Sequence, residues 1–172
     1  MNGLRHGKVA YVRYIALGLG IFATLLITAG SSVAQEHDPA DVLYLTQSAG
    51  FAHPVLAHSE AVLTRLASES DRFHLTVSHD ASALSQESLR QYDAVVFFTT
   101  GELPMDAGQQ QALLAYVRNG GAFVGVHSAT DTFYEWPDYL ALIGGYFDGH
   151  PWRQDVAVIV EDQDHPSTRH LG

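Results

Sequence analysis

Three apolar runs stand out along the chain: Asp41–Thr46, Tyr92–Thr99 and Ala122–Val126. Each has strand length and is continuous rather than alternating, the pattern of a strand buried on both faces. Phe73-His74-Leu75-Thr76-Val77 alternates instead, as a strand near a sheet edge does. Between the first two strands, Val55, Ser59, Val62, Leu63 and Leu66 recur at helical spacing, so a helix is expected from Pro54 to about Ser68. Ala81 to Arg90 reads as a loop with a short helix. Asp106 followed by Gln109 has capping-box spacing. Leu113, Leu114, Tyr116 and Val117 then mark a buried helix face, closed by Arg118 and Gly120. Further on, the pattern predicts a helix over Asp138–Ile143, a loop over 144–153, a strand over Asp155–Val160 and a loop from Glu161 to Pro166.

This order of elements predicts an α/β fold, a doubly wound and mostly parallel sheet with helices on both faces, because parallel neighbours need crossover connections. In such a sheet all strands point one way. The exits after Thr46, Thr99 and Val126 then lie along one edge if the first, third and fourth strands are neighbours, and ligands bind at that edge. The last strand is followed closely by Leu171-Gly172, so the expected domain, 41–172, looks C-terminally incomplete.

Residues 1–34 have a different character. Arg5, Lys8 and Arg13 precede an apolar stretch from Ile15 to Ala29, and Ser32-Val33-Ala34 places small residues where a signal peptidase reads. A signal peptide cleaved after Ala34 is expected, followed by a linker over 35–40 and a periplasmic or extracellular location. The rival is an uncleaved membrane anchor, since Tyr14 to Ala34 approaches spanning length. The full chain carries a net charge of −10, and removing the three leader cations leaves −13 with no lysine. Such a surface repels nucleic acid. With no cysteine in the chain, disulfides, thiolate nucleophiles and thiolate-bound metals are all excluded.

The chemistry-bearing groups cluster at the predicted exits: Ser48 and His53, Thr100 and Glu102, then His127, Ser128, Thr130 and Asp131. A lone histidine after a strand is commonly a hydrogen-bonded core residue, but His127 shares its exit with several polar groups. A neutral imidazole there can act as general base or metal ligand, with Asp131 orienting it. Gly125-Val126-His127-Ser128-Ala129 is not a G-x-S-x-G elbow, which argues against a serine hydrolase. His53, His150 and His165 are further candidates, although none has H-x-x-x-H or H-E-x-x-H spacing. A divalent metal held by His127 and His150 remains open. Asp131 and Glu135 are a carboxylate pair of the kind sugar chemistry uses, and solvated surface acids are the plainer explanation. Phe133, Tyr134, Trp136, Tyr139, Tyr146, Phe147 and Trp152 crowd one stretch, as core or as a surface on which sugar rings stack.

Several blocks together resemble a known family. They are Gly50-Phe51-Ala52-His53, Tyr92–Phe97, Tyr116–His127, Thr130–Pro137 and Glu161–Pro166. In this order they are similar to the ThuA-like trehalose-utilisation domain, over about Asp41 to Gly172. The resemblance implies a flavodoxin-like sheet of the class I glutamine-amidotransferase-like group. Amidotransferases of that group place a cysteine nucleophile on the turn corresponding to Gly125–Ala129; with His127 and Ser128 there, glutamine hydrolysis is not expected. The resemblance further implies carbohydrate as the partner, with a disaccharide or 3-keto-glycoside processed. His127 and Asp131 are the expected catalytic pair, and His53, Glu102 and Trp136 the expected substrate contacts. A non-catalytic carbohydrate-binding or scaffold domain is the alternative. The family domain normally continues beyond the His165-Pro166 loop, which is the second reason to expect an incomplete domain.

Overall fold

In the computed structural model, which describes residues 38–152 and 154–171, four parallel strands form one sheet in the order β2-β1-β3-β4. They are β1 (Ala40–Leu45), β2 (Phe73–Ser78), β3 (Ala94–Phe97) and β4 (Ala122–Gly125). The helices are α1 (Leu56–Ser70), α2 (Gln86–Leu89), α3 (Ala107–Arg118) and α4 (Pro137–Ile143), with 3-10 turns at Ala81–Leu84 and His127–Asp131. The expected leader, its cleavage site and the first half of the expected linker, 35–37, lie outside the described residues. No helix among the described residues is long and apolar enough to cross a membrane.

Register decides which side chains meet. Leu43 pairs with Val95 and Leu45 with Phe97, and these pair onward with Phe123 and Gly125, so all six share one face. That face carries the main core, with Leu84, Leu89, Leu113, Leu114, Phe133 and Tyr139 packed on it. Tyr44 points to the other face, toward α1, where its hydroxyl meets Ser59 Oγ at 2.9 Å. Burial of Leu43, Leu45, Val95, Phe97 and Leu113 is complete, and full burial of such side chains stabilises by about 1.5–3 kcal/mol each. Helix α3 starts on the capping box expected for it: Gln109 N–H donates to Asp106 Oδ1 at 2.8 Å, and Asp106 N–H donates to Gln109 Oε1 at 2.9 Å.

Gly120 takes the left-handed conformation (φ +101°) that turns the chain from α3 into β4. Gly121 has a different reason: a Cβ there would collide with the ring of Tyr116.

One expected element is absent. Asp155–Val160 forms no strand, and Val156, Val158 and Ile159 are 71%, 84% and 82% exposed. A β-branched run fits a pleated surface, but it becomes a strand only where a neighbouring edge accepts its backbone hydrogen bonds. Among the described residues no edge does so for this segment.

Because β1, β3 and β4 are adjacent, their exits lie side by side. The chain leaves β1 toward β2 in one direction and β3 toward β4 in the other, so the crevice between the β1 and β3 exits is the switch point of a doubly wound sheet.

Candidate functional site

The exit of β1 is stitched to that of β3. Ser48 and Thr100 form a bridge, Ala49 and Gly50 N–H both donate to Thr100 O (2.7 and 3.1 Å), and Thr100 Oγ1 donates to Phe51 O at 2.9 Å. A Cβ on Gly50 would lie 3.3 Å from the Gly101 backbone, so the close approach of the two loops favours glycine. This seam carries His53 to the edge of the sheet. The β3 exit is sewn in turn to the segment after β4: Gly101 N–H donates to Asp131 O at 2.7 Å, and Thr99 and Thr132 hydroxyls meet at 2.9 Å.

His127 occupies the sharp turn after β4. Its φ is +45°, the left-handed region that costs a non-glycine residue about 1–2 kcal/mol. Val126 N–H donates to Phe97 O and Ala129 N–H to Val126 O, which hold the turn on both sides. The strain aims the imidazole across the crevice, where its Nε2 lies 3.1 Å from Nε2 of His53. Phe98, 4% exposed, packs against both rings, tilted to His53 and edge-on to His127 with centroids 5.9 and 5.7 Å away.

The two histidines open onto a cavity of about 800 Å³, walled also by Phe51, Ser128, Thr130, Asp131, Phe147 and His150. Two polar atoms of its lining residues are buried behind the wall without a partner. Ser128 is 6% exposed, and neither its Oγ nor the buried Nδ1 of His53 has a hydrogen-bond partner. Buried polar atoms without partners are uncommon in folded proteins. Phe51, 66% exposed, and Phe147 offer apolar faces at the same cavity.

Asp131 lies in this wall with a different partner from the one expected. The Tyr134 hydroxyl is 2.7 Å from Asp131 Oδ1 and 2.9 Å from Phe147 O, so it ties the carboxylate to the loop that carries Phe147 and His150. Desolvation of the hydroxyl, together with its hydrogen bond to the Asp131 carboxylate, pushes the Tyr134 phenol up to about 12, keeping it a donor at neutral pH. The ring facing His127 is that of His53.

The cavity thus collects His53, His127, Ser128, Thr130, Asp131, Phe147 and His150 of the residues singled out in the sequence. Trp136 is not there: it is 7% exposed, stacked on Tyr139 and edge-on to Phe133 within the core, which leaves no free face for a sugar. Glu102 lies outside the cavity wall, exposed, and accepts from Glu135 N–H at 3.3 Å. His165 binds Ser167 within its own loop. His150 packs against Phe147, centroids 4.7 Å apart. Among the described residues no group of three or more His, Asp or Glu converges as a metal site. Phe51 and Tyr134 are the contributors hardest to anticipate, since the exposure of one and the hydrogen bond of the other depend on loop packing.

Ser128 Oγ has no histidine partner, so no serine nucleophile is assembled at the turn.

The family model for ThuA, trehalose utilisation, matches residues 41–172. Among solved structures, a ThuA-like protein from Bacteroides uniformis is similar at 28% identity and a TM-score of 0.63, over 81% of this chain and 58% of that one. A ThuA-like protein from Parabacteroides merdae shares the fold at 24% identity and a TM-score of 0.54, over 65% of this chain and 41% of that one. The chain therefore spans less than two thirds of either solved relative. A comparison with curated proteins gives no match. With the family model covering the whole sheet and the crevice at its edge, the chain belongs to the ThuA (trehalose utilisation) family.

Proposed function

We propose that this chain processes a carbohydrate, a disaccharide or 3-keto-glycoside, in the crevice at the β1, β3 and β4 exits, with His127 at the reacting centre. The observation that carries the reading is the strained turn at His127, which points an imidazole at His53 in a ligand-sized cavity lined also by Asp131 and His150. Strain kept at one residue of a ligand-sized cavity is a signature of function rather than packing. The family's link to trehalose utilisation supplies the substrate class. The leader-like segment Arg5–Ala34 supports action outside the cytoplasm.

A ketone at C3 of a sugar acidifies the hydrogen on C2. The Asp131 carboxylate takes that proton, and the electrons move toward the ketone oxygen, whose charge the His127 side of the crevice stabilises. The C1–O bond then breaks, and the leaving oxygen recovers the proton from Asp131. No oxidant or reductant is consumed. Tyr134 holds Asp131 in place without competing for the proton, because its phenol stays protonated.

Turnover of a 3-keto-glycoside by the purified chain and by His127→Ala tests this. Loss of about 100-fold or more in kcat/KM is expected for the variant, and undiminished activity overturns the role.

The exposed Phe51 and Phe147 favour a second reading, a carbohydrate-binding domain without catalysis. Sugar affinity that survives loss of both His127 and Asp131, with no turnover by the intact chain, selects it.

A further inference from the structure

We infer that His53 is a positioning residue: its Nε2–H donates to Nε2 of His127 and so fixes His127 in the tautomer that carries its proton on Nδ1. The two Nε2 atoms lie 3.1 Å apart, within hydrogen-bond distance, with the ring planes at 84°. Two neutral imidazoles joined nitrogen to nitrogen hold one proton between them, so one ring donates and the other accepts. The two outer nitrogens decide which. Nδ1 of His53 is buried without a partner, in a ring packed on Phe98. Nδ1 of His127 belongs to an exposed ring in the cavity wall. Buried N–H groups without an acceptor are rarer in folded proteins than under-satisfied acceptors, so the proton is better kept off the buried nitrogen. That puts it on Nε2 of His53, puts a lone pair on Nε2 of His127, and leaves Nδ1–H of His127 as the donor of the pair.

A second proton on the pair is disfavoured. It would charge His53 at a buried nitrogen with no acceptor, and the histidine ion pairs among the described residues are His74–Asp41 and His79–Glu60, so neither ring of the pair has a carboxylate bound to it. Asp131, the orienting partner expected for His127, is held by the Tyr134 hydroxyl at 2.7 Å instead. The tautomer of a histidine is set by the bond its other nitrogen makes, and for His127 that bond comes from His53. The seam between the β1 and β3 exits brings His53 there, through the Ser48–Thr100 bridge and the Thr100 hydroxyl on Phe51 O. The catalytic meaning of the tautomer rests on the proposed reaction. Negative charge gathers there on a ketone oxygen, which a neutral N–H stabilises and a bare nitrogen lone pair repels. His53 thus acts through His127, by keeping a donor on the ring that faces the substrate.

The imidazole ¹⁵N resonances of the 172-residue chain, recorded at neutral pH with no sugar present, test the tautomer. Nε2 of His53 and Nδ1 of His127 should carry protons, Nδ1 of His53 and Nε2 of His127 should be bare, and a scalar coupling across the hydrogen bond should join the two Nε2 signals. A bare Nδ1 on His127, or rings that average between tautomers, overturns the inference on the intact chain, whatever the variants do. His53→Ala should release His127 into averaged tautomers and lower kcat on a 3-keto-glycoside by at least about 10-fold, with KM little changed. His53→Gln, whose amide N–H can take the place of Nε2–H, should restore the protonated Nδ1 signal and most of the lost kcat. A glutamine variant as slow as the alanine one, or an alanine variant as fast as the unmodified chain, overturns the positioning role. Absence of turnover by the intact chain sinks the proposed reaction instead, and the spectrum still decides the tautomer.

Discussion

At the scale of single residues, His127 joins a conformational cost to a chemical position. Its φ of +45° is one that glycine adopts freely and alanine does not. His127→Ala and His127→Gly both remove the imidazole, so their difference isolates the backbone. The glycine variant should be more stable than the alanine variant by about 1 kcal/mol, read as a shift in urea midpoint with an unchanged slope. Equal stabilities would mean that the turn stores no strain. The location of His127 was legible in the sequence because an apolar run ends there and polar groups begin. Its partner was not legible: Asp131 is four residues away along the chain, whereas His53 lies 74 residues away and arrives only through the bridge between Ser48 and Thr100. Trp136 was misread for a related reason, since an aromatic cluster reads alike whether its rings face a cleft or one another.

At the scale of elements, the sheet was well foreshadowed because β1 and β3 are continuous apolar runs, and the capping box announces α3 in four residues. The segment Asp155–Val160 has equally strong strand composition and forms none, which separates propensity, a local property, from pairing, which needs a partner edge. Helix α4 is tied to the site by Tyr139, whose buried hydroxyl donates to Ala129 O at 2.8 Å. Burial raises the Tyr139 phenol well above its usual value. A phenol whose folded pKa lies above the unfolded one contributes stability that is fully present below pH about 10 and is lost as pH rises beyond it. Stability should therefore fall above about pH 10. Tyr139→Phe should fall less steeply there, after an initial loss of about 1 kcal/mol at neutral pH for the missing hydrogen bond. Chemical denaturation from pH 7 to 11 measures both; parallel curves for the two proteins would remove Tyr139 from the account.

At the scale of the whole molecule, the order β2-β1-β3-β4 places two cavities at opposite edges of the sheet. One, of about 800 Å³, lies at the strand exits around His53 and His127. The other, of about 390 Å³, lies where β3 and β4 begin, between Arg90, Asp93, Tyr116 and Asn119. In the proposed reading the ligand takes the first, since ligands of doubly wound sheets bind outside the carboxyl ends of the strands. The most direct test is a titration of the ¹⁵N-labelled chain with a 3-keto-glycoside, followed by its backbone amide resonances. Saturable shifts confined to residues 51–53, 127–131 and 147–150 are the predicted result; shifts confined to residues 90–93 and 116–121, or none at all, would contradict the account.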